Sequence, residues 1–270
     1  MGWIVPYVGV LDESNLTPGD FVRFYVTAVV ACPAEGLSAL SQRVDEIRRR
    51  HGYQSGDFFK WETHSRPKHV GQKDHLDAKS ETLELLRNHR IVFLPVLVPH
   101  HVAERNPSKT LVDWNANMAI LLWERFLESV HDTGVCILDR RPGGDDGSYL
   151  RELFSKEPES PPGRDFSLKR THLLGYTMEG ASHLLSVLDI ALGAFCYAIN
   201  DRRQQQSKMA SKMLKTVVGA MRQLELPGGQ TVLEADGYAF LPLNKKTIRV
   251  QAEYAELIEH WNRLLSQPPG

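Results

Sequence analysis

Apolar and polar positions along the chain divide it into two strands, then strands alternating with helices. Trp3–Leu11 is an apolar, β-branched-rich run that stops at Asp12-Glu13-Ser14. Pro18-Gly19 marks a turn within Asn15–Asp20, and Phe21–Ala31 is a second apolar run, so the opening reads as a hairpin. Over Glu35–His51 the recurrence of Leu37, Leu40, Val44 and Ile47 is helical, and Arg48–Arg50 load the end where cations suit the helix dipole. Gly52–Lys68 follows with no period. Asp77–Asn88 predicts a helix, Ile91–Val98 a strand buried on both faces, Leu111–Val130 a helix and Gly134–Asp139 a short buried strand. Arg140–Gly147 and Pro158–Gly163 read as loops around a short helix, Tyr149–Phe154. Phe166–Tyr176 predicts a strand, and Ser182–Asn200 an apolar helix with a single acid, Asp189. This succession predicts an α/β fold with a mixed central sheet flanked by helices, parallel in its later part.

The last stretch has a different character. Arg202–Arg222 carries Arg202, Arg203, Lys208, Lys212, Lys215 and Arg222 with no acidic residue, and Met209, Met213, Leu214, Val217 and Met221 form its apolar positions. It reads as a basic amphipathic helix. Its cations either form a solvated face or hold a nucleic-acid backbone; a partner-binding helix is the third option. Leu226-Pro227-Gly228-Gly229 breaks it. Thr231–Leu243 suggests a strand or hairpin, and Gln251 to Leu265 a helix. The expected division is an α/β domain over 1–202 and a mostly helical C-terminal appendage over 203–270.

Composition narrows the function classes. Of 270 residues 42% are apolar and 24% charged, and 32 Lys+Arg against 33 Asp+Glu leave a net charge of −1. Such a chain is neither disordered nor a broadly basic nucleic-acid binder, although neutrality leaves room for a local basic surface. Runs such as Ile91–Pro99 and Ala116–Trp123 are too short to span a bilayer, which takes about 20 residues. Cys32, Cys136 and Cys196 lie far apart in apolar sequence, the pattern of reduced, buried thiols. With no basic and apolar leader at the start, the expected location is the cytoplasm. The 11 histidines form no zinc motif, and there is neither a phosphate-binding glycine loop nor a serine-nucleophile elbow.

Three aspartates stand where folding alone does not ask for them. Asp12 ends the first apolar strand, Asp139 ends VCIL, and Asp189 interrupts LLSVLDIALGAFCYAI. Asp12 and Asp139 each admit a turn or capping role, and Asp189 a solvent-facing or arginine-paired one. If the two strands are parallel neighbours, however, both carboxylates emerge at one sheet edge, and the helix bearing Asp189 packs across it. Clustered carboxylates repel and raise one another's pKa until a divalent cation neutralises them. Two Mg2+ or Mn2+ ions held about 3.5–4 Å apart would suit in-line attack of water on a phosphodiester.

The succession VGVLDES, FFKW, ILDRR and S-x6-D-I-A-L-G-A, spanning residues 4–200, resembles a bacterial family catalogued as domain of unknown function 3800 and grouped with ribonuclease H-like folds. The resemblance implies a ribonuclease H-like α/β fold and a metal-binding set of Asp12, Asp139 and Asp189. It implies that Ser182, two helical turns before Asp189, orients that carboxylate. Lys60 would point at substrate phosphate or at the acidic cluster, with Trp61 packed beside it. The chain departs from the family pattern at Asn15, at Leu188 and at Phe58, which stands where an acid is expected two residues before Lys60. Asp57, Glu62 or Glu13 would have to supply the fourth carboxylate.

The expectation is therefore a nuclease that hydrolyses nucleic-acid phosphodiesters with Mg2+ or Mn2+. Asp12, Asp139, Asp189 and Lys60 carry the chemistry; Glu13 joins the metal set, and Ser182 and Glu62 support it. Arg202, Arg203, Lys208, Lys212 and Lys215 hold the nucleic acid. The competing class is a nucleic-acid- or protein-binding regulatory module, in a defence or toxin-like setting, that keeps the fold without turnover. Phe58 is the residue that favours it.

Overall fold

The computed structural model describes residues 6–14, 23–88, 90–100, 108–139, 168–177, 182–200, 208–218, 220–221, 252–257 and 259–261. The expected loops and short helix between 140 and 163, Arg202, Arg203 and the 231–243 segment lie outside them.

Five strands form one mixed sheet in the order β3-β2-β1-β4-β5. They are β1 (Tyr7–Ser14), β2 (Phe24–Pro33), β3 (Val92–Pro99), β4 (Gly134–Asp139) and β5 (Thr171–Thr177). The expected hairpin is present, with β1 and β2 antiparallel and β3 antiparallel to β2. Strands β4 and β5 run parallel to β1, as the later alternation with helices required. β1 does not stop at Leu11. Its ladder with β2 continues through Asp12↔Ala28 to Ser14↔Val26, so Asp12 is a strand residue rather than the residue that ends the strand.

The sheet separates two apolar layers. On one face lie α1 (Leu37–Arg50), α2 (Gln72–Asn88), α4 (His183–Asn200) and α5 (Lys208–Val218); on the other lies α3 (Ser108–Ser129). Strand alternation sends Val8 and Val10 of β1 and Ile137 of β4 to the first layer, and Leu11, Cys136 and Leu138 to the second. In the second layer Trp123 of α3 packs against two glycines. A Cβ on Gly134 would meet its ring at 2.6 Å, and one on Gly9 at 3.3 Å. Nearby, the buried Glu124 carboxylate accepts the backbone N–H of Lys169, Arg170 and Thr171 and the Thr171 hydroxyl, which fixes the start of β5.

The expected boundary at 202/203 does not separate two cores. Ala210, Leu214 and Val217 of α5 and Tyr254, Leu257 and Trp261 of a later helical stretch belong to the same buried cluster as Phe93 and Phe195. Tyr254 donates its hydroxyl to Leu97 O, His260 Nε2 meets Ala198 O, and Trp261 packs edge-on against Phe195. Among the described residues, α4 is the one helix long and apolar enough to cross a membrane, and 78% of that stretch is buried in this fold. The three cysteines are free and buried as expected, and burial pushes the thiols of Cys136 and Cys196 up to about 12.

Candidate functional site

The parallel pairing of β1 with β4 sets Leu11 opposite Leu138, and one residue further along that register Asp12 stands beside Asp139. Adjacent strands lie about 4.8 Å apart. Both aspartates follow an odd-numbered neighbour and an even-numbered neighbour respectively that point to the α3 layer, so both carboxylates emerge on the α4 face. α4 packs across β1 and β2 on that face. Asp189, in its second turn, joins them: Asp12, Asp139 and Asp189 line one small pocket open to solvent, together with Lys60, Phe58 and Phe59. Leu185 and Ser186 complete the wall.

The electrostatics of this pocket centre on Asp12. Burial raises its carboxyl to about 8; Glu13, Asp139 and Asp189 push the same way, against one hydrogen bond from the Glu13 N–H. Lys60 lines the same cavity. Asp189 is held differently. Its Oδ2 accepts the backbone N–H of Trp61 at 2.5 Å, and the Trp61 ring lies against Gly193, one helical turn further on. Lys79 of α2, only 4% exposed, donates Nζ to the Trp61 carbonyl at 2.8 Å and sits 4.3 Å from the centre of the indole ring. Burial lowers its pKa, while Asp189 and Glu62 pull it back up.

Lys79 was not foreseen. In AKSETLELL it occupies what looks like a solvent position; its burial comes from the 53–70 segment folding over α2, which no periodicity encodes. The same segment hides His75, whose Nδ1 lies 2.5 Å from the Tyr53 hydroxyl and whose pKa falls to about 4, first through burial and then through Lys79 and Arg66.

The remaining expected residues are placed variously. Trp61 packs on α4 rather than merely beside Lys60. Glu13, one residue off the alternation, is not among the cavity-lining residues. Glu62 is exposed and pairs with His64 at 2.7 Å. Asp57 accepts from Gln54 N–H and His69 Nε2 and is not among the cavity-lining residues. The Ser182 hydroxyl accepts the N–H of Leu184 and caps α4; Ser186, a turn closer, lines the cavity instead. Of the basic run, Lys212 is exposed on α5 and Lys215 half-buried, with Lys208 at the helix start. The end of α5 is tied by the Ala220 carbonyl to Phe93 N–H on β3, two strands from β1.

Three carboxylates in one cavity, one of them raised in pKa by burial and by its acidic neighbours, are the donor chemistry that a hard divalent cation takes. Among the described residues, no group of three or more His, Cys, Asp or Glu side chains is already drawn together as an ion-holding cage. The residue types fit Mg2+ or Mn2+. The sequence matches no protein-family model and no curated protein.

Proposed function

We propose that the chain is a divalent-metal-dependent hydrolase of nucleic-acid phosphodiester bonds, acting through Asp12, Asp139 and Asp189 with Lys60. The observation that carries this reading is the convergence of the three aspartates, from two parallel strands and one helix, on a single cavity that also holds a lysine. A bound Mg2+ or Mn2+ supplies Lewis-acid polarisation of the phosphoryl oxygens and a water of lowered pKa. Asp12, whose carboxyl burial and acidic neighbours raise to about 8, would be deprotonated when holding such an ion. Asp139 and Asp189 add anionic oxygens, and the Trp61 N–H fixes the direction of Asp189. Lys60 offsets phosphate charge. The five-stranded mixed sheet with acids on its two central parallel strands supports the finer assignment to a ribonuclease H-like fold of the bacterial kind named above, working in the cytoplasm.

The test is a cleavage assay on single-stranded, double-stranded and hybrid substrates with Mg2+ or Mn2+. The wild-type chain cleaves at least one of them and Asp12→Asn loses activity by a factor of at least about 100, in line with the several kcal/mol that metal polarisation contributes. Equal activity in the two proteins overturns the mechanism.

A second reading has its own observation. Phe58, where the resembled family carries an acid, is exposed rather than replaced by a neighbouring carboxylate. On this reading the fold binds nucleic acid without cutting it.

A further inference from the structure

Phe58 is 52% exposed to solvent while lining the cavity that contains the three aspartates and Lys60. We propose that its ring is a stacking platform for an unpaired nucleobase, which makes single-stranded nucleic acid the ligand class of this site. The inference rests on the nucleic-acid part of the reading above and not on hydrolysis.

Local geometry explains why the ring is displayed. Phe59 is buried, packed against Tyr53 with ring centres 5.0 Å apart, and forms part of the cavity wall, while its neighbour Phe58 lines the same cavity from an exposed position beside Lys60. The backbone on either side is pinned. Arg48 Nη2 donates to Asp57 O at 2.5 Å and to Gln54 O at 3.3 Å, and beyond Lys60 the Trp61 N–H is bonded to Asp189. Phe58 cannot turn into the core without displacing Phe59. A large aromatic ring is thus left in water on a rigid segment, where binding freezes little further motion.

Its neighbours select the occupant. Leu76 and Leu173, the other exposed large apolar side chains among the described residues, are aliphatic and do not line the cavity. Beside Phe58 stand a cation, Lys60, and a carboxylate cluster that calls for metal, the partners of a phosphate. An apolar π-face next to phosphate-binding groups matches one nucleotide unit. A paired base has both faces covered by its stack, whereas an unpaired base offers one. Stacking on an aromatic side chain contributes about 1–3 kcal/mol per base, or roughly 5- to 150-fold in affinity.

The experiment reads binding without turnover, using the full chain in an Asp12→Asn background with Mn2+. Fluorescence anisotropy gives Kd for single-stranded 12-mers of DNA and of RNA and for the matching blunt duplexes. A 2-aminopurine base in each strand reports stacking by quenching. Phe58→Ala weakens single-strand binding at least 5-fold and abolishes quenching, Phe58→Leu behaves like Phe58→Ala, Phe58→Trp retains both, and duplex binding does not change. The arm that binds more tightly identifies DNA or RNA. Unchanged binding in Phe58→Ala, full retention of binding and quenching in Phe58→Leu, or no strand binding in either arm overturns the proposal. If the hydrolytic reading alone is wrong, the chain with Asp12 intact cuts nothing while strand binding still depends on Phe58. If the stacking proposal alone is wrong, Phe58→Ala cuts single strands with an unchanged KM.

Discussion

Trp61 and Asp189, 128 positions apart in the chain, are joined by a single hydrogen bond from a backbone N–H to a carboxylate oxygen. The bond ties the aperiodic segment that carries Phe58 and Lys60 to the helix that carries Asp189. Residues contributed by separate parts of the sequence therefore meet at fixed positions.

That junction needs a helix position without a side chain. A Cβ on Gly193 would come within 2.0 Å of Trp61 Cγ. Gly193→Ala is expected to displace the indole and lower unfolding free energy by about 1–3 kcal/mol in chemical denaturation, as overpacking does. Gly175→Ala, whose Cβ would find Ile137 at an ordinary 3.6 Å, serves as the tolerant comparison.

Lys79→Met removes the donor that satisfies the Trp61 carbonyl. Leaving a buried acceptor unpaired costs about 1–3 kcal/mol. The variant is expected to be less stable by that amount and to bind Mn2+ more weakly in calorimetry, because Asp189 loses the support behind its own donor. Unaltered Mn2+ affinity would show that Lys79 only stabilises the fold.

The pH dependence follows from two opposite shifts. Asp12, raised to about 8, holds a proton in the folded state that the unfolded chain has lost, so it makes stability fall as pH rises from about 4 to 8. His75, lowered to about 4, makes stability rise with pH between 4 and 6.5. Up to 6.5 Asp12 and His75 oppose each other, with His183, also lowered by burial, acting in the same sense as His75, and above 6.5 the Asp12 contribution continues to fall. In chelator the protein is expected to lose up to about 2 kcal/mol between pH 6.5 and 8, at about 1.4 kcal/mol per unit. Asp12→Asn removes that slope in denaturant titrations. Mn2+ is expected to raise Tm more at pH 8 than at pH 6, since binding must release the Asp12 proton.

Glu124→Ala unties the start of β5. Three backbone N–H groups and one hydroxyl lose their acceptor, with an expected loss of about 2–4 kcal/mol. Hydrogen exchange at 169–171 should accelerate while that at 92–98 changes only with global stability.

Apolar patterning made the sheet and its helices legible. GVCILD is β4 residue for residue, and LLSVLDIALGAFCYAI lies within α4. The aspartates were legible as well, because an acid in an apolar run is conspicuous and strand parity then assigns its face. What pattern did not carry was burial imposed by distant segments. Lys79, His75 and Glu124 look like surface residues in their local sequence and become interior ones when another part of the chain covers them. Phe166–Tyr176 was placed a few residues early because the strand begins where Glu124 catches it, at Thr171. Of the basic run, Lys208–Val218 is helical among the described residues, with Leu214 and Val217 in the core and Met213 and Met221 packed against it.

α4 is gripped at both ends. Asp189 is held near its beginning by Trp61. At its other end the Asn200 side chain bonds the backbone of Arg23 and Phe24, and Ala198 O meets His260. A helix fastened in this way has little freedom to shift along the sheet, so the residues clasping its far end help to fix where Asp189 stands. Residues 254–261, which read as an appendage in sequence, are in mechanical terms the anchor of that helix, and trimming them would slacken a carboxylate they never touch.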